Sequence, residues 1–344
     1  MITRPQYVFS ISTPLQYINA IELIHSQKLT FQECILILLS PFERTQGQIR
    51  GIGHLEKWHT VFYPFYKKKN EFLLQVKLFF LLRRFRKLIA VIGNLNDFRN
   101  IYLIKHSIQY SHQPIVLDDG SSTIIFWNKR IANEFRISIK GIRNKLLNQL
   151  YHIDKNVQID NLDFFSCIKH LPYNTKDNLL LNKYSFFKSN SDLSNSVDDS
   201  LEFWFAGAPF VRFNIIEKDI YMKCLLQLKF IAEDMGLKFK YFAHRTELEF
   251  DSKNLSEFDV VVNEDPFEIY YYKTKYKPQV VASFYSACLF TLSAMDAPSQ
   301  LMAFDVAEGD VFVKSIDKAE KDEIIQIYNH IGKYSNIQKL KFIL

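Results

Sequence analysis

Two carboxylates stand side by side in Leu117-Asp118-Asp119-Gly120-Ser121-Ser122-Thr123, directly after the short apolar run Pro114-Ile115-Val116. Such a run reads as a buried strand, and open α/β sheets place their ligand crevices at the carboxyl ends of strands. Charge at that point must be solvated or paired, so packing alone gives little reason for it. A carboxylate aimed from there suits deprotonation of a hydroxyl. The same residues also suit a plain turn, with Ser121, Ser122 or Thr123 capping the next helix. The other polar candidates share this placement. His244 follows the apparent strand Lys238–Phe242, and Ser283 and Ser286 follow Gln279–Ala282. Each has an ordinary structural reading too, a packed histidine in one case and a helix N-cap in the other.

The elements that must carry these groups alternate. Tyr7–Ile11 reads as a strand, and Thr13-Pro14 as an N-cap with proline at the first helical position of Leu15–Gln27. Further strands are expected at Ile35–Leu39, Val61–Tyr63, Leu88–Ile92 and Ile115–Leu117. A polar stretch rich in Ser, Asn and Asp ends the first domain, residues 1–190, and 191–200 reads as a linker. Alternation restarts in 201–344. Strands are expected at Phe203–Phe205, Lys238–Phe242, Asp259–Val262, Gln279–Ala282 and Val311–Val313. Helices are expected at Ile216–Met235, closed by Gly236, and at Ala319–Ile331, and Pro266-Phe267-Glu268 opens another. The expected class is α/β, two doubly wound Rossmann-like domains facing across a cleft. No internal repeat is visible in the sequence.

Composition narrows the chemistry. The 344 residues include 31 Phe and 18 Tyr, enough for sizeable cores, but only 10 Gly, and neither GxGxxG nor a Walker-type loop occurs. Cys34, Cys167, Cys224 and Cys288 are widely spaced and form no zinc pattern, so they read as reduced core residues of a cytosolic protein. No signal peptide and no apolar run of transmembrane length is present. Net charge is +6, concentrated in the segment 66–90, where Lys67-Lys68-Lys69 and Arg83-Arg84-Phe85-Arg86-Lys87 flank an apolar, aromatic-rich stretch. That pattern suits peripheral attachment to an anionic inner-membrane surface, or a core helix with solvated ends. No nucleic-acid motif accompanies the charge, so nucleic acid is not an expected partner. The oligomeric state is left open.

With these residues in place, the chain resembles the bacterial sialyltransferases of the lipooligosaccharide and polysialic-acid-capsule type. The resemblance rests on Ser12-Thr13-Pro14-Leu15-Gln16 leading into Asn19-Ala20-Ile21-Glu22, on Asp118-Asp119-Gly120, on His244-Arg245 with Glu247 behind it, and on Ser283-Phe284-Tyr285-Ser286-Ala287. Arg245 replaces the usual proline, and Ala287 the usual second hydroxyl. It implies a GT-B glycosyltransferase that moves a nonulosonic acid from a CMP donor to a hydroxyl of a surface glycan, with inversion. Asp118 or Asp119 would be the base and His244 the donor to the departing phosphate. Gly120, Ser283 and Ser286 would lie on the donor, and Thr13 and Gln16 on donor or acceptor. Three further donor candidates are read from their own chemistry: Arg245, whose guanidinium suits a carboxylate or phosphate but also a surface pair with Glu247 or Glu249; Glu268, which suits the ribose or cytosine but also a helix start; and Gly207, which suits close backbone approach to a ligand but also a turn. CMP leaves with a single phosphate, which an imidazole, hydroxyls and a helix N-terminus can neutralise, so no cofactor and no metal site is expected. The competing readings are a CDP-alcohol transferase and a non-catalytic membrane-associated subunit of a glycan assembly complex.

Overall fold

The computed structural model describes residues 6–40, 42–62, 80, 84, 87–135, 137–138, 156–157, 159, 161–190, 200–244, 247, 257–262, 264–307, 311–313 and 316–342. Arg245, all of the proposed linker but Ser200, and most of the basic segment 66–90 lie outside them. The chain divides into two compact units, Met1–Asp119 with Phe126–Phe186, and Phe187–Leu344 with Gly120–Ile125.

The first unit is built on a seven-stranded sheet in the order β3-β2-β1-β4-β5-β8-β9. Its strands are β1 (Tyr7–Ile11), β2 (Cys34–Leu38), β3 (Thr60–Phe62), β4 (Ile89–Ile92), β5 (Ile115–Leu117), β8 (Asp163–Ser166) and β9 (Asn178–Leu181), all parallel. β6 (Ile137–Ser138) and β7 (Asn156–Val157) form a separate antiparallel pair. Helices α1 (Pro14–Ser26), α2 (Glu43–Ile52), α3 (Phe98–Gln109) and α4 (Ser122–Ile131) follow β1, β2, β4 and β5, and α5 (Ser185–Asn190) follows β9. β2, Cys-Ile-Leu-Ile-Leu, is buried along its whole length, the continuous apolar run of a strand covered on both faces.

The second sheet has six parallel strands in the order β12-β11-β10-β13-β14-β15. They are β10 (Glu202–Ala206), β11 (Lys238–Phe242), β12 (Asp259–Val261), β13 (Val280–Ser283), β14 (Gln300–Asp305) and β15 (Ile337–Lys341). Between them run α6 (Lys218–Asp234), α7 (Phe267–Lys273), α8 (Ala287–Ala294) and α9 (Lys318–Ile331). Both sheets thus grow outward from their first strand, then restart on its other side. That reversal, at β1/β4 and at β10/β13, opens a crevice at the carboxyl edge of each sheet. Both units are Rossmann-like, as the alternation implied.

Two sequence expectations are corrected here. Val311–Val313 is not a sheet strand: Phe312 makes an isolated antiparallel bridge to Ile216, and Val313 N donates to Ile215 O at 3.0 Å. Pro266 is the N-cap of α7, and the helix itself starts at Phe267. All four cysteines are free and buried, as their apolar settings indicated. Among the described residues no helix is long and apolar enough to cross a membrane.

Candidate active site

At the reversal point of the first sheet the chain leaves β1 through Ser12 and Thr13 and enters α1. Thr13 Oγ1 accepts from Gln16 N at 3.2 Å, and Gln16 Oε1 accepts from Thr13 N at 3.3 Å, a reciprocal capping box with Pro14 inside it. Ser12 donates to the same oxygen through its amide at 2.8 Å and its hydroxyl at 3.0 Å. With Oε1 so engaged, Gln16 Nε2 points the other way. It donates to Gly93 O, just past β4, at 2.9 Å, and to Asp119 Oδ1, just past β5, at 2.6 Å. Gln16 is fully buried. It links the ends of β1, β4 and β5. Gly93 is what admits it: a Cβ there would lie 2.1 Å from Gln16 Oε1 and 2.3 Å from Cδ.

The two acids have separate fates. Asp118 is 1% exposed. Its Oδ2 accepts from Ser166 Oγ at 2.7 Å, from Cys167 N at 3.1 Å and from Cys167 Sγ at 3.4 Å, all at the end of β8. Its backbone is fixed as well, by Asp118 N donating to Phe165 O at 3.0 Å and by Asn19 Nδ2 donating to Asp118 O at 3.0 Å. Asp119 is half-buried at the sheet edge, oriented by Gln16. Gly120 then turns the chain toward α4 at φ +71, a left-handed backbone that favours glycine. Asn19 and Glu22 act below this edge. Asn19 Oδ1 accepts from Asn182 Nδ2 at 3.1 Å and Tyr184 OH at 2.7 Å, and Glu22 Oε2 from Phe186 N at 3.2 Å.

The second sheet presents His244 at its corresponding edge, two residues beyond β11 and half-buried. Its amide donates to Glu247 Oε2 at 2.6 Å, and that oxygen also accepts from Tyr241 OH at 3.0 Å. Tyr241 OH is 3.1 Å from Tyr221 OH, which accepts from Ala208 N at 3.2 Å. Burial above all, with the Glu247 carboxylate adding, holds both phenols well above the ordinary tyrosine range, so they remain neutral donors. Glu247 therefore fastens the loop carrying His244 to the loop after β10. Gly207 lies under this network, where a Cβ would sit 2.5 Å from Tyr241 OH and 2.8 Å from Glu247 Oε2. Its glycine is thus required by packing against these side chains.

Ser283, the last residue of β13, is fully buried, and its hydroxyl donates to Ala206 O at 2.7 Å, joining the ends of β13 and β10. Ser286 is half-buried and caps α8, accepting from Cys288 N at 3.3 Å. Glu268 lies in the first turn of α7, 8% exposed. Burial, and secondarily the Glu268 carboxylate, push the Cys288 thiol up, which puts Glu268 beside the start of α8. Each unit therefore gathers its own set at one sheet edge: Thr13, Gln16, Asp118 and Asp119 in the first, Gly207, His244, Ser283 and Ser286 in the second. Gly93, Ser166, Cys167 and Tyr241 are the partners that sequence reading did not single out. Gly93 alone had a readable signal, a glycine directly after an apolar run. Among the described residues, no three His, Cys, Asp or Glu side chains are placed to hold a metal.

No family model matches the chain, and no curated protein matches it. Solved structures do. The alpha/beta-galactoside alpha-2,3-sialyltransferase of the luminous marine bacterium Photobacterium phosphoreum is similar over 98% of this chain and 98% of its own, at TM-score 0.53 and 12% identity. Glycyrrhiza uralensis UGT73P12, complexed with glycyrrhetinic acid 3-O-monoglucuronide, is similar over 98% of this chain and 81% of its own, at TM-score 0.51 and 9% identity. With two parallel Rossmann-like sheets in one chain, the fold is that of the GT-B glycosyltransferases.

Proposed function

We propose that this chain is an inverting glycosyltransferase that moves a nonulosonic acid from a CMP donor to a glycan hydroxyl. The observation that carries the reading is the division of labour between the two acids. Asp118 is consumed by the sheet floor, whereas Asp119 is half-buried, oriented by Gln16 and placed at the carboxyl edge. One oriented carboxylate suits a single displacement in which it takes the acceptor proton as the oxygen attacks the anomeric carbon. Direct displacement with one base inverts that carbon.

On the second unit, His244 would donate to the departing phosphate, and the start of α8 behind Ser286 would meet the same charge with backbone amides. Glu268 would face the ribose or the cytosine, and Arg245 would take the donor carboxylate or phosphate. A monophosphate leaving group carries little enough charge for these groups to neutralise, which is the ground for proposing metal-independent turnover. The Photobacterium protein is by name a galactoside sialyltransferase, so galactosides belong in the first acceptor panel. The basic segment 66–90 would hold the enzyme to an anionic membrane where such glycans are assembled.

The deciding experiment pairs Asp119→Asn with Asp118→Asn. Asp119→Asn should lose about 100-fold or more in kcat, with a smaller fall in unfolding midpoint than Asp118→Asn, because its half-buried amide oxygen can still accept from Gln16 Nε2. Asp118→Asn should lower the midpoint, because Ser166 Oγ and Cys167 N lose a charged acceptor. Wild type should be stabilised by CMP in a thermal-shift assay, more than by UDP or GDP. Full activity in Asp119→Asn would end the assignment of the base, and no stabilisation by CMP would end that of the donor.

A further inference from the structure

The carboxyl edge of the first sheet holds more than Asp119. Phe42 lies just beyond β2 and caps α2, with its side chain 56% exposed. An exposed phenylalanine is commonplace on a mobile loop, but this one is pinned. Phe42 N donates to Ser40 Oγ at 3.4 Å, Gln46 Nε2 donates to Ser40 O at 3.0 Å, and Gln46 N donates to Phe42 O at 3.1 Å. Ser40, Thr45 and Gln48 around it are buried. The ring has no aromatic partner among the described residues. Asn96 lies beyond β4, exposed, with its backbone fixed by Asn96 N donating to Asn94 Oδ1 at 2.7 Å. Its side-chain amide makes no hydrogen bond among the described residues.

These groups follow neighbouring strands in the order β2-β1-β4-β5: Phe42 after β2, the Ser12–Thr13 turn after β1, Asn96 after β4 and Asp119 after β5. The strands that lead to Phe42 and Asp119, β2 and β5, are three spacings apart, roughly 14 Å at about 4.8 Å each. We propose that this row is an extended acceptor strip on the first unit. The hydroxyl to be deprotonated lies at Asp119, Asn96 takes hydroxyls of the ring behind it, and Phe42 stacks under a ring further along. Pinned aromatics and free amides are the groups that hold sugars, since a pyranose offers one apolar CH face and a rim of hydroxyls. The span exceeds one sugar ring, so the acceptor class is an oligosaccharide of two or more units. The inference rests on the transferase reading for the role of Asp119, but not for glycan binding itself.

Binding and transfer are therefore measured separately. Saturation-transfer NMR and titration are run with mono-, di- and tetrasaccharide ladders ending in galactose, glucose or sialic acid. At least one ladder should gain about tenfold in affinity from mono- to tetrasaccharide, the change that ~1.4 kcal/mol produces. Phe42→Ala should remove that gain, Phe42→Tyr should keep it, and Asn96→Ala should reduce it, all with unchanged monosaccharide binding and unchanged stabilisation by CMP. No gain with length in any ladder, or an intact gain in Phe42→Ala, overturns the strip. If the length gain appears and disappears as stated while no CMP donor supports transfer, the strip stands and the transferase reading falls.

Discussion

Gly93→Ala tests whether one glutamine organises the catalytic edge. The added Cβ would sit 2.1 Å from Gln16 Oε1, 2.3 Å from Cδ and 2.8 Å from Cγ, all far inside contact distance. Gln16 cannot yield cheaply, because it is fully buried and its amide is bonded to Ser12, Thr13, Gly93 and Asp119. Overpacking of this kind costs about 1–3 kcal/mol, and losing a hydrogen bond to a charged group about 1.5–3 kcal/mol. The expected total is on the order of 3–5 kcal/mol, a large share of the ~5–15 kcal/mol that holds a domain folded. Urea unfolding followed by tryptophan fluorescence reads it, with Trp58 and Trp127 reporting on the first unit. The sharper measurement is a double-mutant cycle. Gln16→Ala removes the atoms that clash, so Gly93→Ala added to it should cost almost nothing further, leaving a coupling energy of about 3–5 kcal/mol, the whole cost of Gly93→Ala alone. Activity should fall in all three variants, because Asp119 loses its orienting donor in each. Additive destabilisation, or a Gly93→Ala protein with normal stability and turnover, would refute the account of this edge.

Arg130 and Asp177 form a buried pair, with Nε to Oδ2 at 2.5 Å, and Asp177 also accepts from Asn174 and Leu162 N. Arg130→Met should cost about 3–5 kcal/mol in urea unfolding, and adding Asp177→Leu should recover much of it. A second prediction concerns acid. His25 stacks on Phe186 at 3.6 Å, and His54 meets the same ring edge-on. Burial first holds both imidazoles below their ordinary value of about 6.5; the His54 charge adds at His25, and the Lys57 charge at His54. The unfolded chain then binds more protons than the native one below that value, so stability is retained at pH 7.5 and declines as pH falls through ~6.5. A His25→Phe, His54→Phe protein should lose that slope, and an unchanged slope would place the acid sensitivity elsewhere. Replacing Lys67, Lys68, Lys69, Arg83, Arg84 and Arg86 by Gln should release the protein from anionic vesicles, at roughly 1 kcal/mol per residue. Equal vesicle binding before and after would leave only a solvated helix.

Strands rich in β-branched and aromatic residues were legible to the residue, as Tyr7–Ile11, Ile115–Leu117 and Lys238–Phe242 show. β9 and β15 were not, because edge strands are half-exposed and mix Asn, Gln and Lys with their apolar residues. β14, Gln-Leu-Met-Ala-Phe-Asp, is composed mainly of helix formers and becomes a strand only between β13 and β15. At the site, the sequence pointed to Asp118 and Asp119 but could not separate them. What separates them is Ser166 and Cys167, nearly fifty residues on, which claim one carboxylate and leave the other. Gly207 was legible as a glycine that mattered, but its reason is Tyr241 and Glu247, which local sequence does not disclose.

Asn19 belongs to the first helix, yet its side-chain oxygen is satisfied by Asn182 and Tyr184, 163 and 165 residues further along. The ribosome adds roughly 5–20 residues per second, so α1 waits roughly ten to thirty seconds for the partners that lock it. Meanwhile β5 has no neighbour on its outer side until Asp163–Ser166 is made, and an unpaired parallel edge is both slow to complete and open to pairing with another chain. The first unit thus has little to gain from folding early. A nascent chain cut before Asp163 leaves β5 with an open edge, and one cut before Asn182 leaves the Asn19 oxygen without either of these partners.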